Sequence, residues 1–442
     1  MTASDIASDT YDRTLKPISE APLESGIPDR PGTGGTTPAP AVPHRFTALD
    51  GLRGLAAVVV VIFHLRREFR DLGVPDAVDR MITGGYLMVD LFFVLSGFVL
   101  ARTMLRTRGG RDALLFAQLR VRRFMPLHLT GWVIALSGVA FVALCQGMTL
   151  FHPRATPAFA ADDTTAWAWL SSALLLQGFT GPQFAGYPAA WSLSIELWTN
   201  VLLVAVIAVL PSAALRRRVG PAALLAGAVL LTLTPAEAEN SVGTVAFARG
   251  LAGLGAGVVT YELYLLFSRR EPAHEAGGTV RWAAPVGMVS LLLLGLACWE
   301  REIVRDLRFL PVLPVAMLLV LSLALPSGGP AQWLLNTAVV RWLGSRSFAV
   351  YALHGPVLMT VGLGPELAGL DPDAPRVAGF VVVTGLLVTL VAAGIGHRYV
   401  ERAWAPRRAA HRQVTHPQVA GKQTAGQQVA GRQVPEQRRV RA

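Results

Sequence analysis

Residues 48–65 read ALDGLRGLAAVVVVIFHL, and residues 84–104 read GGYLMVDLFFVLSGFVLARTM. Each has about the 20 mostly apolar residues that a helix needs to cross the ~30 Å hydrocarbon core of a bilayer. Each also carries ionisable groups, Arg53 and His64 in the first and Asp90 in the second. Such groups are costly in lipid and usually face a cavity or a partner. Working outward, nine further runs of this kind lie near 124–146, 166–180, 190–210, 220–235, 243–267, 282–300, 309–326, 347–364 and 376–398. The pattern predicts an all-α integral membrane protein whose solvent is the lipid bilayer.

Composition agrees. Of 442 residues, 52% are hydrophobic and 16% charged, with a mean hydropathy of +0.45. A soluble globular protein carries about 25% charged residues, so a water-soluble fold of this size is excluded. A mostly disordered chain, low in hydrophobicity and high in charge, is excluded too. The net charge is +11. Because the arginines cluster between apolar runs, this predicts loops facing the cytoplasm and anionic lipid, with no nucleic-acid partner. Cys145 and Cys298 both lie in apolar runs, so neither a disulfide framework nor a metal site is expected. Residues 1–45 are polar, lack the apolar core of a signal peptide, and are expected to form a disordered cytoplasmic tail. Residues 405–442 repeat QVAG at 418 and 428 and are expected to form a disordered basic tail. The membrane domain is therefore 46–404.

Charge sets the expected topology. Residues 105–123 contain six arginines (106, 108, 111, 120, 122 and 123), the strongest inside signal in the chain. The first helix then runs outward and the second returns. If 166–180 is a re-entrant or interfacial helix carrying Trp167 and Trp169, the remaining loops alternate. Arg216–Arg218, Arg269, Arg270, Arg341 and Arg346 fall inside, and Glu237, Glu239, Glu366, Asp371 and Asp373 outside. The prediction is a bundle of about ten transmembrane helices in the inner (plasma) membrane, both termini cytoplasmic.

Arg53 and His64 are eleven residues apart, about 20° in helical projection and roughly 16 Å along the axis. One stripe thus offers a cation near the cytoplasm and an imidazole base further out; the bland alternative is a snorkelling arginine and a packed histidine. Asp90 is placed to orient the His64 ring or to bond a neighbouring helix, and Ser96–Gly97 reads as a packing site. In WSLSIELW, Trp191 suits the interface, Ser192 and Ser194 offer hydroxyls, and Glu196 is expected to pair with Arg249 or, in its place, to orient His64. Arg249 is the alternative contact for a substrate oxyanion. Tyr351 and His354 share one face of the ninth span, His354 nearer the cytoplasm, where packing plus one hydrogen bond is the leading reading. Arg120 and Arg123 present guanidinium forks suited to phosphate, although any inner loop is basic.

Taken in order, ALDGLRGLAAVVVVIFH, GYLMVDLFFVLSGFVL, LRVRRFMPLHL, WSLSIELW and FAVYALHGPVL resemble the bacterial acyltransferase family 3 over about 46–404. The resemblance implies transfer of an acyl group, often acetyl, from cytoplasmic acyl-CoA to a hydroxyl of a glycan or small molecule, with no permanently bound cofactor. It implies that Arg53 and His64 match the family's arginine–histidine pair. Arg120, Arg123 and Pro126 match its R-x-x-R-x-x-P loop, and Trp191, Ser192, Ser194 and Glu196 its W-S-L-S-x-E signature. The closing HRYVERAW resembles the family's last segment, with Ala403 where proline is usual. Many relatives carry a fused extracytoplasmic domain; the polar residues after the last span are too few for one, so any such partner is expected to be separate.

On this reading His64, oriented by Asp90 or Glu196, acts as general base or as an acyl carrier. Arg53, Arg120 and Arg123 hold CoA, and Trp191, Ser194, Arg249, Tyr351 and His354 contact the substrate. The rival is a secondary transporter, which multiple spans and buried charges also fit, although no inverted repeat is visible between the halves. A membrane assembly protein without catalysis gives no reason for a histidine on the Arg53 stripe.

Overall fold

The computed structural model describes residues 46–147, 166–180, 188–235, 242–270 and 280–404. The two expected tails, the acidic pair Glu237 and Glu239, and most of the stretch between the third and fourth long helices lie outside the described residues. Those residues are helical, with no strand among them. This is the consequence of lipid as solvent: a spanning backbone must satisfy its own hydrogen bonds.

Ten apolar helices stand where ten of the eleven runs were read. They are α1 Thr47–His64, α2 Met88–Arg106, α3 Gly109–Gly147, α4 Trp191–Val209, α5 Ala213–Leu233, α6 Gly243–Arg270, α7 Ala283–Trp299, α8 Val312–Ala324, α9 Ala338–Leu367 and α10 Pro375–Gly396. Seven helical segments, those containing α1 to α4, α6, α9 and α10, are long and apolar enough to cross a membrane; α7 and α8 are shorter apolar helices. The remaining helix, α5, carries Arg216–Arg218 in its first turns. The run 166–180 forms two short helices, Ala166–Ala173 and Gln177–Thr180, separated by Leu175 at a left-handed φ of 55°. Eight residues reach only about 12 Å, so neither helix crosses.

The connections sort into two ends of the bundle. At one end Arg67, after α1, binds Asp373, between α9 and α10. Arg308, between α7 and α8, donates to the Pro235 carbonyl after α5, and the Tyr86 ring meets Phe309. At the other end Phe46 packs on Phe98 and Tyr264, Arg217 faces Glu262, and Arg123 faces Glu401.

Two glycine crossings set the close approaches. A Cβ on Gly54 would lie 2.4 Å from the Gly344 nitrogen, and one on Gly344 would lie 2.4 Å from the Asp50 carbonyl oxygen. Helices α1 and α9 therefore touch backbone to backbone, running parallel. A Cβ on Gly97 would lie 2.2 Å from the Leu254 carbonyl oxygen, and one on Gly257 2.2 Å from that of Val94. That contact joins α2 to α6, and it makes the packing reading of Gly97 correct.

Candidate active site

Where α1 ends and α4 begins, a cavity of about 490 Å³ opens at the first end of the bundle. His64, Tyr86, Trp191, Arg249 and Tyr351 line it, with Arg66, Arg301, Glu302 and Arg305. The parallel crossing of α1 and α9 builds one of its walls. Arg53 Nε donates to Ser347 Oγ at 2.8 Å. One level up, the His64 and His354 rings stand 4.8 Å apart at 59°. Counting explains the match: His64 is seventeen residues into α1 and His354 sixteen into α9.

The tautomers follow from the partners. His64 Nδ1 lies 2.8 Å from the Val60 carbonyl oxygen, and His354 Nδ1 lies 2.6 Å from that of Tyr351. A carbonyl only accepts, so in each neutral ring Nδ1 carries the proton and Nε2 holds the lone pair. His354 Nε2 is buried and has no hydrogen-bond partner among the described residues. His64 Nε2 likewise has none among them, on a ring that lines the cavity.

Several sequence expectations are corrected here. Neither Asp90 nor Glu196 orients His64; the Val60 carbonyl of the same helix does so. Asp90 instead receives Arg249 Nε at 3.0 Å and Nη2 at 2.8 Å, in a pair only 2% and 1% exposed at the side chains. The face of α2 that carries Asp90 packs on α6, not on α1. The guanidinium of Arg249 also stacks over Phe309, 4.2 Å from the ring centre, and Trp191, at 5.2 Å. The expected Arg249–Glu196 pair does not form. Glu196 accepts from Ser96 Oγ at 2.7 Å and from Arg120 Nη2 at 3.0 Å, because five residues of helix carry it roughly 7.5 Å deeper than Trp191. His354 stands beside His64 and not nearer the opposite end, since α9 begins nine residues before Ser347.

The W-S-L-S-x-E segment is a hub with one task per residue. Trp191 walls the cavity. Ser192 Oγ is hydrogen-bonded to the Tyr351 hydroxyl, and Tyr351 also donates to the Ala189 carbonyl at 3.3 Å. Ser194 is fully buried and accepts from the Gly178 N–H at 3.2 Å, which commits it to the Gln177–Thr180 helix and removes it from the cavity wall. Trp198 Nε1 donates to the Leu175 carbonyl at 2.8 Å, so α4 ties down the junction of the two short helices.

The three arginines expected to meet phosphate lie at the opposite end. Arg53 faces Asp50 at 3.3 Å as well as Ser347. Arg120 is committed to Glu196, with its side chain 11% exposed, whereas Arg123 is 45% exposed and only 3.9 Å from Glu401. Glu401 also receives His397 Nδ1 at 2.8 Å, in a π-helical turn at His397–Glu401. Among the described residues no cluster of His, Cys, Asp or Glu is arranged to hold a metal ion.

Sequence reasoning read Ser96 as a packing residue where its hydroxyl serves Glu196, and it passed over Ser347, Tyr86, Phe309, Arg301 and Arg305. One of these carried a signal. Ser347 and His354 are seven residues apart, again about 20° in projection, the same stripe geometry as Arg53 and His64. The others come from loops and short elements that no periodicity marks. Beyond α1, Glu68 is half-buried, and burial pushes its carboxyl above the usual carboxylate range.

The described residues form an apolar helical bundle with an imidazole at a cavity between its helices, an arrangement that fits a polytopic membrane protein with a buried polar site. The chain belongs to the family described as Acyltransferase domain, which it matches over residues 46–395. It is therefore an acyltransferase that moves groups other than aminoacyl groups. It is 28% identical to acyltransferase MdmB of Streptomyces mycarofaciens over 375 residues, 81% of this chain and 91% of that protein. It is 23% identical to peptidoglycan O-acetyltransferase OatA of Listeria monocytogenes, over 80% of this chain and 55% of that protein. It is 25% identical to the putative peptidoglycan O-acetyltransferase YrhL of Bacillus subtilis, over 81% of this chain and 55% of that protein. The chain thus spans about half the length of the latter two. No solved structure matches it.

Proposed function

We propose that this protein moves an acyl group, acetyl in the simplest case, from cytoplasmic acyl-CoA to a hydroxyl of a glycan or small molecule that enters the cavity at His64. The observation that carries the reading is the lone pair on His64 Nε2, on a cavity wall, in a helix whose other end holds Arg53. The acceptor hydroxyl gives its proton to Nε2 as its oxygen attacks the thioester carbonyl. The tetrahedral intermediate collapses, the C–S bond breaks, and the imidazolium proton passes to the CoA thiolate. His354, whose Nε2 has no hydrogen-bond partner among the described residues, stands close enough to share the positive charge while the proton is held. Arg123, the exposed member of the arginine group, offers its fork to CoA phosphate oxygens; Arg53 and Arg120 frame that end from within their ion pairs.

Ten spans with both termini cytoplasmic, in the plasma membrane, form part of the same proposal. It is supported by the two-ended sorting of the connections, which ten alternating helices require, and by the arginines of 105–123 at the end opposite the cavity. The catalytic test uses membranes holding the full chain and labelled acetyl-CoA. Label should move to a glycan or small molecule, and His64→Gln should slow that transfer by about 10²–10⁴-fold while the protein still elutes as a folded species. Label remaining on CoA in the native chain, as a transporter would leave it, or full activity in His64→Gln, refutes the reading. Mass spectrometry of surface glycans and secreted compounds with and without the protein then names the acceptor.

A further inference from the structure

The rim of the His64 cavity is basic in a way that the transfer chemistry does not require. Arg66 follows α1, while Arg301 and Arg305 sit on the short helix Arg301–Asp306 between α7 and α8. All three line the same cavity as His64, together with Glu302, the one carboxylate among the described lining residues. Glu302 is spent on Arg301, with 3.4 Å between Nε and Oε1, and its side chain is 67% exposed. Arg66 uses one nitrogen on the Phe63 carbonyl at 3.2 Å and lies over the Phe63 ring. Glu68 and Asp79 are within electrostatic reach of Arg66, but Asp79 is bound to Arg70 at 2.7 Å. Deeper in, Arg249 is neutralised by Asp90. Among the described residues lining the cavity, four arginines face Glu302 and, behind Arg249, Asp90, a surplus of two that Glu68 beside Arg66 offsets in part.

The helix that carries Arg301 and Arg305 is held in place at some cost. It is followed, after Leu307, by Arg308 and Phe309, both left-handed at φ 56° and 63°, a conformation disfavoured for bulky residues. The bend turns the Phe309 ring onto Arg249, and Arg308 is tied to the Pro235 carbonyl. Below the rim the wall is apolar and aromatic, with Phe63, Val89 and Trp191. A ligand that fits has a ring or chain for that wall, a hydroxyl at His64, and a negative charge at the rim.

We propose that the acceptor is anionic, with a carboxylate or phosphate that Arg66, Arg301 and Arg305 engage while its hydroxyl meets His64. This rests on the acyl-transfer reading and narrows it to one substrate class: acidic sugars or sugar phosphates are favoured, and neutral or amine-bearing acceptors are not.

The test measures binding apart from turnover. The full chain in detergent is titrated with methyl glucuronide, glucose 1-phosphate and methyl glucoside, by calorimetry and thermal shift, in native and His64→Gln forms. The two anions should bind about tenfold more tightly than the neutral glycoside in both forms, as two surplus partly exposed charges allow. Arg66→Gln combined with Arg305→Gln should bring the ratio near one, and Glu302→Gln should raise it. Competition with acetyl-CoA separates the sources of negative charge. If acetyl-CoA displaces the anions and the arginine variants weaken acetyl-CoA binding, the rim belongs to the donor and the proposal fails. Equal binding of charged and neutral glycosides, or no binding of the anions, also overturns it. Loss of selectivity with a catalytic His64 sinks only this inference; selectivity with a dispensable His64 sinks only the catalytic reading.

Discussion

Removing the Asp90 carboxylate alone should be among the most damaging single changes in the bundle. Its partner Arg249 is only 2% exposed and is held by two hydrogen bonds of 3.0 and 2.8 Å. At the shorter distance the pair attraction is about 6 kcal/mol for an effective dielectric of 20, most of it spent on desolvating the two ions. Asp90→Ala leaves the guanidinium without its counter-ion, at a cost of roughly 3–5 kcal/mol, against a total stability on the order of 5–15 kcal/mol. Asp90→Leu with Arg249→Met removes both charges and should recover most of that loss. The assay is reversible unfolding in mixed micelles for the native chain, each single variant and the double, analysed as a double-mutant cycle. A coupling energy above about 2 kcal/mol is expected. The cycle also measures function. If Asp90 only neutralises Arg249, the double variant retains acyl transfer within about tenfold per folded molecule. Additive single effects would refute the pairing as the role of Asp90; a stable double variant devoid of activity would instead give the cavity-lining Arg249 a role in transfer.

Three further outcomes follow from the same geometry. Gly344→Ala places a methyl group 2.4 Å from the Asp50 carbonyl oxygen; forcing α1 from α9 should cost at least ~1–3 kcal/mol and lower kcat, read by melting temperature and turnover, and an unchanged enzyme would contradict the parallel crossing. Ser192→Ala and Tyr351→Phe break one shared hydrogen bond, so each should destabilise by about 1 kcal/mol and the pair by less than the sum. Ser194→Ala should lower stability by about 1 kcal/mol with KM for the acceptor unchanged, because its hydroxyl serves the Gly178 N–H; a raised KM would return Ser194 to the binding surface.

Much of the fold was legible because lipid imposes simple rules. Apolar run length located the ten apolar helices, and two intervals located the stripes of the candidate site: eleven residues from Arg53 to His64, and three from Tyr351 to His354. Partnerships between helices were not legible. A sequence gives the depth of Asp90 and Glu196 only through an assumed starting point, and an error of one helical turn exchanges Arg249 for Arg120 as the partner of Glu196. Rotation is less visible still: α2 turns Asp90 toward α6 because Gly97 and Gly257 allow contact there, which no charge count reveals. The rim arginines were hidden for another reason. Residues 301–308 mix arginines with Glu302 and Asp306, so by charge alone the stretch had no clear side and no evident purpose.

The contact between α1 and α9 also bears on how the enzyme is made. Arg53 meets Ser347 across 294 positions of sequence, and the two imidazoles are similarly remote. A ribosome adding about 5–20 residues per second leaves the first helix waiting for roughly 15–60 s before its partner emerges. During that interval the nascent chain holds only the α1 half of these contacts. On the proposed catalytic reading, termination before α9 should yield an inert product, and a chain cut in a connecting loop should regain function only when both pieces meet in the same bilayer.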